Sequence, residues 1–136
     1  MRIGIDCRLP TYQMGGISQY VLNLIPALAD LDQANDYLIF HSRKEERTFL
    51  PPNGENWSRR TLWTPPHHRL ERWALTTELA RHDLDLFHSP DFIPPQSGAS
   101  RRVITVHDLT FIYYPELLTD ESRRYYFDQI QWAVDT

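Results

Sequence analysis

The chain has 136 residues, 41% of them hydrophobic, enough for one compact domain that buries roughly two-thirds of its unfolded surface. A formal charge of −4 with dispersed Lys and Arg excludes a basic footprint for nucleic acid and a polybasic membrane stripe. A single cysteine, Cys7, excludes an internal disulfide and a thiolate zinc cluster and fits a reducing compartment.

Asp6 and Arg8 break the first apolar run too early for a signal peptide. No segment approaches the ~20 apolar residues of a membrane span. The expected location is cytoplasmic. Arg2 to Asp6 alternates polar and apolar as a strand does, and Ile17, Tyr20, Val21, Leu24, Ile25, Leu28 and Leu31 recur at helical spacing. Gly15 and Gly16 therefore stand at a strand-to-helix turn. They can take positive φ and admit another molecule to the backbone, where a helix N-terminus seats an anion. Pro26 removes one helical hydrogen bond, so the spacing predicts a single helix bent near Leu22 to Pro26.

"YLIF" (37–40) predicts a second strand ended by His41, and "FLPPNGENW" a loop. Arg60 to Trp63 reads as a third strand, followed by a helix to about Arg81 with Leu70, Trp73, Ala74 and Thr77 as its stripe. "LDLFH" (84–88) and "RVITVH" (102–107) have the near-continuous apolar pattern of strands buried on both faces of a parallel sheet, and both are expected to be central. "SPDFIPPQSGAS" between them is a loop. Thr119 can cap a last helix that carries Asp120 and Glu121 in its first turn and Tyr126, Ile130, Ala133 and Val134 on one face. This alternation predicts an α/β fold of the Rossmann type, a doubly wound, mostly parallel sheet.

Such sheets gather ligands beyond the carboxyl ends of their strands. The glycine turn, "HSP" with His88 and Ser89, and "HD" with His107 and Asp108 all fall at that edge. With strand order 3-2-1-4-5, the fifth strand lies about 10 Å from the glycine turn, at roughly 4.8 Å per strand. A sugar and its phosphate fit that gap. His107 can donate to a hydroxyl or phosphate oxygen, or tie down a neighbouring carbonyl; the residues alone favour neither. Pro90 makes turn-shaping the better reading of His88 and Ser89, and Asp108 reads as an acceptor for loop amides. His67 and His68 are adjacent, without a Cys or acid at ligand spacing, so no metal site is expected there. Phe111, Tyr113 and Tyr114 suit packing or stacking on a sugar.

"MRIGIDCRLPTYQMGGISQYVLNLIPAL", "LDLFHSPDFIPP" and "VITVHDLTFIYYPE", in that order through nearly the whole chain, resemble the N-terminal domain of family 4 glycosyltransferases, the group 1 retaining enzymes of GT-B architecture. The resemblance implies one Rossmann-like domain, residues 1–136, of a two-domain enzyme whose donor-binding half lies outside this sequence. It implies transfer of a sugar from a nucleotide diphosphate donor to an acceptor hydroxyl with retained configuration, in glycan or polysaccharide biosynthesis. No cofactor and no obligatory metal are implied. Gly15 and Gly16 match the loop near the donor phosphates and acceptor. His107 matches the histidine that reaches the transferred sugar, and Asp108 follows it in the motif. The implied partners are a nucleotide sugar and a glycan or small-molecule acceptor, with peripheral membrane contact and self-association through aromatic surface as further expectations. By itself the 136-residue chain is expected to be nearly inactive. A non-catalytic Rossmann-like module and half of a sugar-nucleotide epimerase stand as alternatives.

Overall fold

The computed structural model describes residues 1–136 except Asn53, Arg69, Phe92 and Thr136, and omits the side chains of residues 121–126 and 128 in the last helix. Strands β1 (Arg2–Cys7), β2 (Asp36–Ser42), β3 (Trp57–Leu62), β4 (Leu84–Ser89) and β5 (Ala99–Ile104) form one sheet of order β3-β2-β1-β4-β5. Every pairing is parallel. Helices α1 (Gly16–Leu31), α2 (Glu71–Leu79), α3 (Thr110–Tyr113) and α4 (Asp120–Asp135) complete an α/β, Rossmann-like fold. Short 3-10 turns occupy Leu9–Thr11 and Pro115–Leu117.

The two-residue period of a strand sends neighbours to opposite faces. Ile5 and Cys7 of β1 therefore join Tyr37, Ile39 and Trp57 against Val21 and Ile25 of α1. On the other face Leu38, Phe40, Leu62 and Phe87 meet Leu75 and Leu79 of α2. Gly4 sits beneath this second layer, where a Cβ would stand 2.9 Å from Leu84, Phe40 and Phe87. A bare backbone is what lets those side chains close over β1. α1 runs through Pro26 as one helix, with the proline exposed.

Several predicted elements shift, each for a visible reason. His41 does not end β2 but lies inside it, wholly buried. Its Nε2 accepts the Phe49 amide at 3.2 Å, so its Nδ1 carries the proton that reaches the Ile39 carbonyl at 3.1 Å. Burial holds this imidazole below its ordinary pKa, so a neutral, doubly bonded ring extends the strand. β3 begins at Trp57 rather than Arg60, because the indole stacks on Tyr37, its partner in β2, at 4.0 Å. The expected stripe of α2 is wrong: Leu70 and Trp73 are 61% and 58% exposed, while Glu71, Leu75 and Leu79 are buried.

β4 is interior as expected, but β5 is an edge strand that begins and ends three residues before the predicted span. The Thr105 amide still donates to the Ser89 carbonyl at 3.1 Å; thereafter the chain leaves the sheet, so the "HD" pair stands in a loop. Beyond it, Ile93 and Phe111 form a third cluster with Ile104, Leu118 and Ile130 of α4. The Arg72 guanidinium lies 4.1 Å from the Trp132 ring centre and ties α2 to α4. Ala133 is buried as expected, Val134 is 65% exposed, and the side chains of Tyr126 and Glu121 lie outside the described residues.

Candidate functional site

The carboxyl edge of the sheet assembles from three chain segments. At the end of β1 the 3-10 turn Leu9–Thr11 leads to Gly15, the N-cap of α1. No side chain caps this helix. Its first backbone bond runs from the Gln19 amide to the Gly15 carbonyl at 3.0 Å, so the amides of Gly16, Ile17 and Ser18 are not used by the helical ladder. Neither glycine has positive φ, contrary to the expectation: Gly15 is extended at φ −120°, and among the described residues the glycine with positive φ is Gly98. The value of the pair is lateral room, since a Cβ on Gly16 would meet nothing within 4 Å.

One turn into α1, Tyr20 joins this corner to the two other segments. Its ring meets His107 edge-on at 5.1 Å and His88 at 6.3 Å. Its hydroxyl lies 3.4 Å from Thr105 Oγ1, which is 2.9 Å from His88 Nε2. His107 and the N-terminal turns of α1 therefore share one rim. His107 Nε2 lies 2.7 Å from the Pro90 carbonyl; a carbonyl only accepts, so Nε2 carries a proton, and Nδ1 of the neutral ring is an acceptor. Burial, with a smaller contribution from nearby His107, holds His88 below its ordinary pKa against the pull of Asp6. Asp108 Oδ1 accepts the Thr110 amide at 2.8 Å, which shapes the loop after His107. Ser89 is buried with no partner for its hydroxyl among the described residues.

Beneath the rim lies a narrow cleft of about 30 Å³, lined by Asp6, Arg8, His67, Glu71, Ser89 and Asp91 among others. That volume admits water rather than a sugar. Arg8 forms its floor, 1% exposed. Its Nε and Nη2 grip Asp6 at 2.9 and 2.6 Å, Nη2 reaches Glu71 at 2.5 Å, and Nη1 donates to the Thr64 carbonyl at 2.7 Å. Burial lifts the Glu71 carboxyl above the ordinary range, with Arg8 opposing. The His67 amide donates to Glu71 at 2.7 Å, and its ring meets Asp91 at 2.7 Å. The hydrogen bond that the ring donates to Asp91 raises the His67 pKa in spite of desolvation. Among the described residues no group of three or more His, Cys, Asp or Glu is placed to hold a metal ion.

The sequence pattern of Glycosyltransferase Family 4 matches residues 14–136, which begin one residue before the glycine corner and include the whole rim. The chain belongs to glycosyltransferase family 4. No curated protein and no solved structure matches it. This family 4 domain thus brings Gly15, Gly16, His88 and His107 to one edge, leaves Ser89 under it, and uses Asp108 to hold the loop. Among the described residues no helix is long and apolar enough to cross a membrane.

Sequence reasoning missed Tyr20, read only as one apolar position of a helix, and missed the Arg8 network. A signal for the latter was present. Asp6 lies near the end of a central strand and Arg8 immediately past it, and charges in such a place need partners.

Proposed function

We propose that this family 4 domain is the acceptor-side half of a retaining glycosyltransferase that moves a sugar from a nucleotide diphosphate donor to an acceptor hydroxyl in glycan or polysaccharide assembly. One observation carries the reading: the uncapped amino terminus of α1 and the His107 imidazole share an open rim through Tyr20. The free amides and helix dipole suit the diphosphate as its charge grows. His107 stands beside them with Nδ1 unspent, suited to a hydroxyl of the transferred sugar. In the reaction the bond from the anomeric carbon to the diphosphate oxygen breaks and its electron pair leaves with the nucleotide. The acceptor oxygen then bonds that carbon on the same face and gives its proton to the departing diphosphate. No obligatory metal enters this reading, in which the α1 terminus stabilises part of the leaving charge.

The test is His107→Ala and His107→Gln in the enzyme with its donor-binding half present, reading kcat and KM beside thermal unfolding. Loss of a group that meets the reacting sugar lowers kcat by roughly 100-fold or more. Unchanged turnover in folded His107→Ala removes the residue from the reaction. Glycan binding without transfer by the unaltered enzyme would instead identify a non-catalytic module.

A further inference from the structure

On the α2 side of β1–β3 the fold gathers cations that the sequence disperses, with Arg2 at the amino end of β1 and Arg60 further along β3, in register with Asp6 through Phe40. Arg2 opens β1, Arg60 lies on the α2-facing side of β3, and Arg81 follows α2. They line a cleft of about 510 Å³ with His82, Asp36 and Glu55. This is within the roughly 300–1,000 Å³ of small-molecule sites. No residue lines both this cleft and the one beneath the rim. The cleft is therefore separate from the candidate active site.

The state of these arginines is the decisive feature. Among the described residues none of the three forms an ion pair with a carboxylate. Arg2 Nη1 donates to the His82 carbonyl at 3.3 Å, Arg81 Nε to His82 Nε2 at 3.3 Å, and Arg60 Nη1 to its neighbour's carbonyl at 2.7 Å. Each spends one of five N–H donors on a neutral acceptor, and the Asp85 carboxylate beside Arg2 accepts the Arg2 backbone amide at 2.7 Å rather than its guanidinium. Because His82 Nε2 accepts from Arg81, the neutral ring carries its proton on Nδ1. The Phe40 ring stands edge-on to it at 5.1 Å.

We propose that this cleft binds a phosphate group, held between the guanidiniums of Arg2, Arg60 and Arg81 at the His82 end. Planar guanidinium forks match phosphate oxygens bidentately, and charge-assisted bonds of this kind are the strong ones. Asp36 and Glu55 also line the cleft, but the His82 end is electropositive. Burial lowers the pKa of its ring first, then Arg81, Arg60 and Arg2 lower it further, and Asp83 alone opposes them. A seated dianion reverses that field, so the ring takes up a proton more readily when the site is filled. The inference does not rest on the transferase reading.

Two sources supply such a group, a soluble phosphate ester or a phospholipid headgroup, and the experiment separates them. In one arm inorganic phosphate and glycerol 3-phosphate are titrated into the protein by calorimetry, while the His82 Cε1–H resonance is followed against pH with and without ligand. In the other, phosphatidylcholine vesicles with and without phosphatidic acid are co-sedimented with it. Expected is saturable binding in at least one arm, weakened at least roughly tenfold by Arg60→Gln or Arg81→Gln, and weakened less by Arg60→Lys, which keeps the charge and loses the bidentate fork. Soluble ligands must also move the His82 midpoint upward. Response to the vesicles alone assigns the phosphate to lipid. No binding in either arm overturns the proposal, as does binding indifferent to both glutamine variants. Should a variant fail to fold, an unmoved His82 midpoint at saturating soluble ligand in the unaltered protein overturns it equally.

Discussion

Arg8 and His67 show how single residues hold the floor of the rim. Asp6 and Glu71 are both within hydrogen-bond reach of one buried guanidinium. Removing one partner from such a network costs about 3–5 kcal/mol, because the charge left behind stays desolvated. His67 supplies a second positive group when protonated, facing Asp91 and Glu71, with Arg8 as the opposing charge. Its pKa is raised on folding, so its contribution to stability is fully present below about pH 6.5. That contribution is lost as pH rises through the higher folded value. Burial depresses His41, His82 and His88 instead, so theirs runs the other way, lost as pH falls below about 6.5. A difference between variant and parent separates the two. Urea unfolding of the parent and Asp91→Asn, at intervals from pH 5.5 to 8.5, should show the variant destabilised at the acid end and the gap narrowing toward the alkaline end. A gap constant across that range would remove His67 from the account.

Among the elements, α1 and its glycine corner were legible from the sequence, because an apolar stripe and a glycine pair are local signals, although Leu31, the last position of that stripe, is 84% exposed. β1 and β4 were legible too, through alternation and the parallel-sheet pattern, whereas the strand order was a supposition that the sheet bears out. What failed was set by distant partners. The stripe of α2 was misread because its first buried residue is a glutamate whose partner, Arg8, is 63 residues away. β5 was placed late because the apolar "VITV" continues past the last ladder pair, Ser89 with Ile104. Two glycines show the contrast between packing and access. Gly4→Ala puts a methyl 2.9 Å from three core side chains, and overpacking of this kind costs about 1–3 kcal/mol. Gly16→Ala adds its methyl to open space and replaces the poorer helix former, so stability should hold or rise slightly. If a substrate lies against that backbone, the same methyl raises KM several-fold. Chemical denaturation of both variants, with KM for Gly16→Ala, checks the pair. A Gly16→Ala enzyme with unchanged KM would separate the glycine corner from substrate binding.

For the molecule as a whole, the two edges of the sheet are unlike. β3 presents Arg60 and Thr61 outward, and charge on an edge discourages pairing with another chain. β5 has Val103 at 42% exposure, and the segment after it continues with Val106, Leu109, Ile112, Tyr113 and Leu117, all 38–71% exposed. An unpaired edge strand beside exposed apolar residues is a surface made to be covered. Burial at about 25 cal/mol per Å² would favour a second copy as that cover. We therefore expect the weight-average mass in sedimentation equilibrium to rise with concentration. The double variant Ile112→Asp, Tyr113→Asp should return it to that of one chain, while unfolding stays near the parent's because both side chains are exposed. A parent that stays monomeric across the accessible concentrations would refute the self-association. A parent that associates equally well with both aspartates in place would put the contact on another face, with Leu70 and Trp73 of α2 the next apolar pair to test.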